Sequence, residues 1–178
     1  MTEKLSTGTK TLLMARVDRA EELWQSELDQ TIAAIPWLRA SMSHLTALNE
    51  GVVQVDASDS FVVAFDRASD AVTCALDLQL APLEPFALCI GVHTVEHTDS
   101  VDSDGAARLR DIARGGQTLI SAAAAALVSD RMPAHAALTP LRDRVRHEPV
   151  YQLDHPGLRT QVAHDTPNTT DAQHLSST

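Results

Sequence analysis

The feature that most constrains this sequence is a nearly continuous apolar segment, Phe86–His93, which contains no acidic residue, lysine or arginine. A run of this kind is typical of a central strand that is buried on both faces of a sheet. Such a strand needs other elements packed on both sides of it. The chain has 178 residues, which is enough for one domain of this kind and too short for two ordinary domains with a linker.

Strand-like and helix-like segments are mixed along the rest of the chain. The first predicted elements are a strand at Thr11–Val17 and a long helix or helix pair from Ala20 to Leu45 that is kinked or split at Pro36. A β-hairpin over Gly51–Phe65, with Asp59 at its tip, and a helix from Ala68 to Leu76 come before the central strand. After it the pattern predicts a helix from Ala106 to Ala113, a strand at Gln117–Ile120, a helix capped by Ser121 and a last strand at Val150–Leu153. Because two of the strands form a hairpin, the pattern predicts an α+β layered sheet with helices on its faces.

Composition limits the extent of the domain and the kinds of partner that it can have. We expect a flexible N-terminus over residues 1–10, one domain over residues 11–158 and a disordered polar tail over residues 159–178. The net charge of −10 argues against nucleic acid and anionic membranes as partners. No apolar run reaches the roughly 18 residues of a membrane span, and the first residues lack a signal-peptide apolar region, so we expect a cytoplasmic protein. Cys74 and Cys89 lie in apolar stretches, which predicts buried, reduced thiols rather than a zinc site or disulfide.

Several short segments indicate a protein family only when they are taken together and in order. They are Leu23–Trp24, Asp59–Phe65, Ile90–Glu96, Ala106–Ser121, and Val150–Leu153 with His155–Leu158. In this order they resemble the catalytic domain of bacterial-type class III adenylate and guanylate cyclases, over residues 11–158. The resemblance implies a ferredoxin-like βαββαβ core, with a mixed or antiparallel sheet, that dimerises and forms its active sites between two protomers.

The resemblance implies a site for two divalent cations held by two Asp residues, and this sequence keeps one of them. Asp59 occupies the second position, whereas Arg16 occupies the first. Because a cation at this place repels divalent ions, we expect an Arg16–Asp59 ion pair in place of a metal site, and no cofactor. Asp18 is either a substitute ligand or the N-cap of the following helix, and Asp56 is a hairpin residue or a second ligand. Mg²⁺ or Mn²⁺ would be required only if the domain were active.

The nucleotide-binding half implied by the resemblance is also incomplete. Val55 stands where the family has its base-selecting Lys, and Asp104 stands where it has an Asn. The transition-state Arg is retained as Arg108, and the charge of a family Lys is retained as Arg142. Arg108 and Arg142 are therefore the candidate nucleotide-binding residues, although a solvated helix charge is the alternative interpretation of Arg108.

Since neither half is complete, the sequence favours a catalytically degenerate cyclase-like domain that acts as a dimerising regulatory or interaction module in cyclic-nucleotide-type signalling. Its partner would be a second copy or another cyclase-type domain. The alternative is a weakly active, Mn²⁺-dependent cyclase that converts ATP or GTP to the 3′,5′-cyclic nucleotide and pyrophosphate. A third interpretation is a sensor that binds nucleotide through Arg108 and Arg142 without chemistry.

Overall fold

The structure is a computed structural model that describes residues 8–57, 60–96, 104–145 and 148–158. Within these ranges the elements are β1 (Thr9–Val17), α1 (Ala20–Ser26), α2 (Leu28–Leu48), β2 (Val52–Ala57), β3 (Ser60–Phe65), α3 (Ala68–Leu80), β4 (Leu88–Glu96), α4 (Asp104–Ile112), β5 (Thr118–Ser121), α5 (Ala122–Val128), β6 (Ala137–Val145) and β7 (Glu148–Asp154). None of these helices has the length and apolarity that crossing a bilayer requires. The predicted tail and most of the predicted flexible N-terminus lie outside the described ranges.

The strands form one mixed sheet in the order β2-β3-β1-β4-β5-β7-β6. β1 lies between β3 and β4 and is antiparallel to both. β4 and β5 are parallel, and the other neighbouring pairs are antiparallel. The segment from β1 to β4 has the predicted βαββαβ order, with α1 and α2 in the place of its first helix. The predicted α+β fold with helices on the sheet is confirmed.

The helices are divided unequally between the two faces of the sheet. On one face, side chains of α2, α3 and α5 pack into the main core cluster together with Leu13 and Ile90. On the other face, α4 packs against β1, β4 and β5, with Ala106 next to Leu12 and Met14. Among the described residues, no helix lies over the outer strands of the sheet on this second face.

Gly91 allows α4 to lie directly against the middle of β4. A Cβ atom at this position would be 2.5 Å from the backbone nitrogen of Arg110 and 2.9 Å from the Cβ atom of Leu109. Both distances are shorter than van der Waals contact, so only glycine permits this approach. The close packing brings the C-terminal half of α4 beside the end of β1.

The helix that follows β1 is interrupted at Glu27, so the prediction of a split at Pro36 is wrong. Glu27 has φ −134° and ψ 42°, which ends α1, and α2 then runs from Leu28 through Pro36 to Leu48. Pro36 is exposed, so water can hydrate the carbonyl group that loses its amide donor. The helical path therefore continues past the proline.

β6 is a strand that the sequence pattern did not predict. It contains Pro140, it lacks a clear alternation of apolar and polar residues, and its pairing with β7 shifts register between Pro140 and Arg144. It also lies at one edge of the sheet, where proline and irregular pairing are tolerated. A strand of this kind carries no strong periodic signal.

Candidate functional site

Arg16 lies at the C-terminal end of β1, opposite Cys89 of β4. Within the described part of the chain, its guanidinium has two acidic neighbours. Nη1 is 3.8 Å from Oδ1 of Asp18, and Nε is 4.0 Å from Oδ1 of Asp111 on α4. The positive charge is therefore held between two carboxylates at the place where the family resemblance puts a metal-binding Asp.

The interpretation of Asp18 as a helix N-cap is wrong. The N-cap of α1 is Arg19, which has a left-handed backbone at φ 47° and ψ 42°, and no side chain caps the helix. The left-handed turn separates Asp18 from the first amides of the helix. Its two carboxylate oxygens lie 3.8 Å from Arg16 and from Arg19 respectively. Two arginines thus compensate this carboxylate, and its use as a substitute metal ligand stays a prediction.

Arg110 is a site residue that the sequence interpretation missed. Only 15% of its side chain is exposed. Its Nη1 donates a hydrogen bond to Oγ of Ser60 at 3.2 Å, and its Nε and Nη2 contact Oδ1 of Asp111 at 2.9 and 2.8 Å. One carboxylate is therefore shared by Arg110 and Arg16. The available signal was helical spacing, because Arg110 follows the buried Ala106 by four residues and so faces the sheet.

Cys89 lies next to this charge cluster as a neutral thiol. Burial raises its pKa to about 11, Arg16 acts in the opposite direction, and Asp18 raises the pKa further. Burial likewise raises the pKa of the Cys74 thiol to about 12. Thiols with such pKa values are protonated at neutral pH and are poor nucleophiles and metal ligands. Both cysteines are free and buried, as the sequence predicts.

Asp59 and its predicted ion pair with Arg16 lie outside the described residues. The hairpin is described on both sides of the tip, where Ala57 pairs with Ser60. Among the described residues, no group of three or more His, Cys, Asp or Glu side chains could hold a metal ion. Asp59, the retained metal position of the family, is not among these residues, so the expected absence of a metal stays a prediction.

A small cleft opens beside Arg16, between β1, the β2–β3 hairpin and α2. Its polar lining is Arg16, Arg39, Asp56 and Ser60, and its apolar lining includes Leu38, Met42 and Phe61. The cavity has a volume of about 60 Å³. Pockets that enclose small-molecule ligands commonly measure roughly 300–1,000 Å³. One described chain does not enclose a nucleotide here, and a second protomer would have to supply further walls.

The residues predicted for the nucleotide-binding half lie at separate places in one chain. Asp104 and Arg108 share α4, with Arg108 Nη2 at 4.0 Å from Asp104 Oδ2. Arg142 is exposed on β6, at one edge of the sheet, and Val55 is exposed on β2, at the other edge. A single chain therefore brings together Asp104 and Arg108 but neither of the other two positions.

Comparison of the sequence identifies mycobacterial relatives. The chain is 45% identical to an uncharacterized protein of Mycobacterium tuberculosis, in a match that covers 86% of this chain and 58% of that protein. A second uncharacterized protein of the same organism is 40% identical, with 84% of this chain and 66% of that protein covered. The chain thus spans about three-fifths to two-thirds of the length of these relatives. No protein-family model matches the chain.

Comparison of the structure identifies nucleotide cyclases. An adenylate cyclase from Trypanosoma brucei in its monomeric state superposes with a TM-score of 0.72 at 21% identity, covering 89% of this chain and 94% of that one. The adenylyl cyclase CyaB from P. aeruginosa gives 0.69 at 16% identity, with 83% and 94% covered. The guanylate cyclase domain from Catenaria anguillulae in complex with GTP gives 0.67 at 14% identity, with 84% and 97% covered. This chain therefore has the fold of the class III adenylate and guanylate cyclase catalytic domains.

Proposed function

We propose that this chain is a catalytically degenerate nucleotide cyclase-type domain that acts as a dimerising regulatory or interaction module in cyclic-nucleotide-type signalling. The observation that carries the proposal is the position of Arg16 at the end of β1, within 4.0 Å of the carboxylates of Asp18 and Asp111. Arg110 binds the same Asp111 carboxylate from α4. Asp18 and Asp111, two acidic side chains at this end of the sheet, are thus paired with arginines.

The energetic cost of a divalent cation beside Arg16 is large. Two unit charges about 4 Å apart interact by about 4 kcal/mol at an effective dielectric of about 20, and a divalent ion roughly doubles this repulsion. Since about 1.4 kcal/mol corresponds to a tenfold change in an equilibrium constant, a repulsion of this size, before the compensation by Asp18 and Asp111, lowers the affinity for such an ion by several orders of magnitude. The cyclase reaction implied by the resemblance depends on divalent cations, so this argument favours an inactive domain.

An exposed apolar surface supports dimerisation. On the edge strand β2, the side chains of Val52 and Val55 are 62% and 44% exposed. They pair with Ala64 and Val62, which belong to the cluster beneath α4, so both valines lie on the α4 side of the sheet. Exposed apolar residues on an edge strand are typical of a surface that pairs with another protein. The partner in this proposal is a second copy or another cyclase-type domain.

Cyclase assays of the purified chain test the proposal. With ATP or GTP and Mn²⁺, we expect no cyclic nucleotide from the wild-type protein, and the same result from Asp59→Ala and from the matched surface variant Asp130→Ala. Cyclic nucleotide formation by the wild type that Asp59→Ala abolishes and Asp130→Ala retains would overturn it.

A weakly active, Mn²⁺-dependent adenylate or guanylate cyclase is the second candidate. Two carboxylates near Arg16 favour it, since Asp18 lies 3.8 Å from the guanidinium and Asp56 lines the adjoining cleft. Arg108 is also retained. In this case Asp18→Asn and Asp56→Asn would each lower turnover. A sensor that binds nucleotide without chemistry is the third candidate. Calorimetric titration with ATP would then show a heat of binding that Arg108→Ala or Arg142→Ala removes and that the exposed control Arg114→Ala retains.

A further inference from the structure

Five large apolar side chains are exposed on the helix pair that follows β1, and three of them lie around the break at Glu27. Trp24, Leu28 and Ile32 recur at every fourth residue, and their exposed fractions are 46%, 47% and 51%. We call these three residues the α1–α2 stripe. None of the residues of α1 is buried, and the main neighbour of this helix is α2. Trp24 lies before the break at Glu27, and Leu28 and Ile32 lie one turn apart after it. Exposed apolar side chains that are grouped in this way mark an interaction site more strongly than scattered ones.

The α1–α2 stripe is separate from the surface that we propose for dimerisation. α2 packs through Leu38 and Met42 on the face of the sheet that it shares with α3 and α5. Val52 and Val55 lie on the other face, the one that carries α4. A ligand of the stripe would therefore leave the α4 side of the sheet accessible.

Acidic residues precede and separate the stripe residues along the chain, and we call them the acidic rim. From Ala20 to Leu38 the chain contains Glu21, Glu22, Glu27 and Asp29 and no lysine, arginine or histidine. Glu22 lies 3.6 Å from Arg19, which precedes the segment. An apolar stripe with a carboxylate rim attracts a partner that has an apolar face and positive charges beside it.

The negative charge of this surface determines which partner it can bind. The partners to be compared are a second copy of the chain, an anionic bilayer and another segment of the same chain. A second copy would bring the same four acidic residues to the contact, on a chain whose net charge is −10. An anionic bilayer would be repelled for the same reason. Residues 159–178 of this chain contain one arginine and two aspartates, so they do not supply a basic amphipathic segment either.

We infer that the α1–α2 stripe is a docking surface for a basic amphipathic helix of another protein. The apolar face of that helix contacts Trp24, Leu28 and Ile32, and its flanking Lys or Arg residues face the acidic rim. This inference does not depend on whether the domain has cyclase activity.

Tryptophan fluorescence tests the inference directly, because the chain has two tryptophans, Trp24 and Trp37. A Trp37→Phe variant leaves Trp24 in the stripe as the reporter. The probe is a synthetic 18-residue amphipathic peptide of Leu and Lys, and the control peptide has Glu in place of every Lys. We expect a saturable blue shift of Trp24 emission with the Leu/Lys peptide, weakened by salt, and no shift with the Leu/Glu peptide.

Matched variants separate the stripe from general attraction of a cationic peptide to an acidic protein. Leu28→Gln and Ile32→Gln should each weaken the Leu/Lys peptide by about tenfold, whereas Leu127→Gln, at an exposed leucine of α5, should leave the affinity unchanged. Asp29→Asn should weaken it and Asp130→Asn should not. The inference would be overturned if Leu28→Gln and Ile32→Gln left the affinity for the Leu/Lys peptide unchanged, or if both peptides bound equally well. A blue shift produced by raised protein concentration or by phosphatidylserine vesicles would assign the stripe to a second copy or to a membrane and would also overturn it.

Discussion

Arg16 and Arg110 reach the carboxylate of Asp111 from different elements, one from β1 and the other from α4. Asp18 approaches Arg16 from the chain that follows β1. Among the described residues, the cluster thus contains the guanidinium groups of Arg16, Arg19 and Arg110 and the carboxylates of Asp18 and Asp111, so each carboxylate lies beside two arginines. Removing one arginine would leave a partly buried carboxylate with less compensation, which is costly in a region of reduced dielectric.

The two buried cysteines predict a decrease of stability at high pH. In the folded chain burial raises the pKa of Cys89 to about 11 and that of Cys74 to about 12, from an ordinary value of 9.0. Above pH 9 the unfolded chain releases thiol protons that the folded chain retains, so the free energy of unfolding falls as pH rises. The decrease is about 1.4 kcal/mol per pH unit for each thiol between pH 9 and pH 11.

Urea unfolding at pH 8, 9, 10 and 11 measures this dependence. A variant with both Cys74→Ala and Cys89→Ala should lose stability less steeply with pH than the wild type, although it is less stable at pH 8 because of the deleted sulfur atoms. Parallel pH profiles of the two proteins would contradict the assignment of the effect to the thiols.

At the scale of elements, the packing of α4 on β4 positions the charge cluster. A Gly91→Ala substitution would place a methyl group against the backbone of Arg110, so α4 must move away from the sheet. We expect a loss of roughly 1–3 kcal/mol in the free energy of unfolding, the usual cost of overpacking a core. Gly8→Ala is the matched control, since a Cβ atom there has no neighbour within 4 Å. Equal stability of the two variants in urea would show that α4 is not held by this contact.

Several elements could be predicted from the sequence because their signals are local. Ser121 was predicted as a helix cap, and its Oγ accepts a hydrogen bond from the backbone nitrogen of Ala124 at 3.2 Å. Asp18 has a suitable side chain for the same role, but the left-handed backbone at Arg19 keeps it from the helix. The edge strand β6 is defined by its pairing with β7, which local periodicity does not record, and no periodic signal marks the break at Glu27.

The candidate site was predictable only in part for a similar reason. The order of motifs identified Arg16, Asp104 and Arg108 as the positions to examine. It places Arg16 on the first strand and Arg108 on the helix after the central strand, as the structure does, whereas Asp104, expected in the loop before that helix, is its first residue. It gave no indication of Asp111 and Arg110, because these residues meet Arg16 and Ser60 only after α4 packs on the sheet. Side chains that act through tertiary contacts carry little signal in their own neighbourhood.

At the scale of the whole molecule, the exposed valines of β2 predict how the chain associates. Val52→Lys combined with Val55→Lys should shift a dimer to the monomer, because two charges cannot be buried against a partner without compensation. Sedimentation velocity over a range of concentrations measures the shift. Leu127→Lys is the control, since that exposed leucine lies on α5, on the opposite face of the sheet. A double variant that associates as strongly as the control would exclude β2 from the interface.

Manganese binding followed by electron paramagnetic resonance tests the central claim, that Arg16 occupies the place where divalent cations would bind. With a non-hydrolysable ATP analogue present, we expect no stoichiometric Mn²⁺ binding by the wild type. Arg16→Asp should bind Mn²⁺ measurably, because it replaces the cation by a third carboxylate beside Asp18 and Asp111, whereas Arg39→Asp makes the same charge change in the same cleft and should not. Two Mn²⁺ ions bound per wild-type site, and lost in Asp59→Ala, would contradict the account.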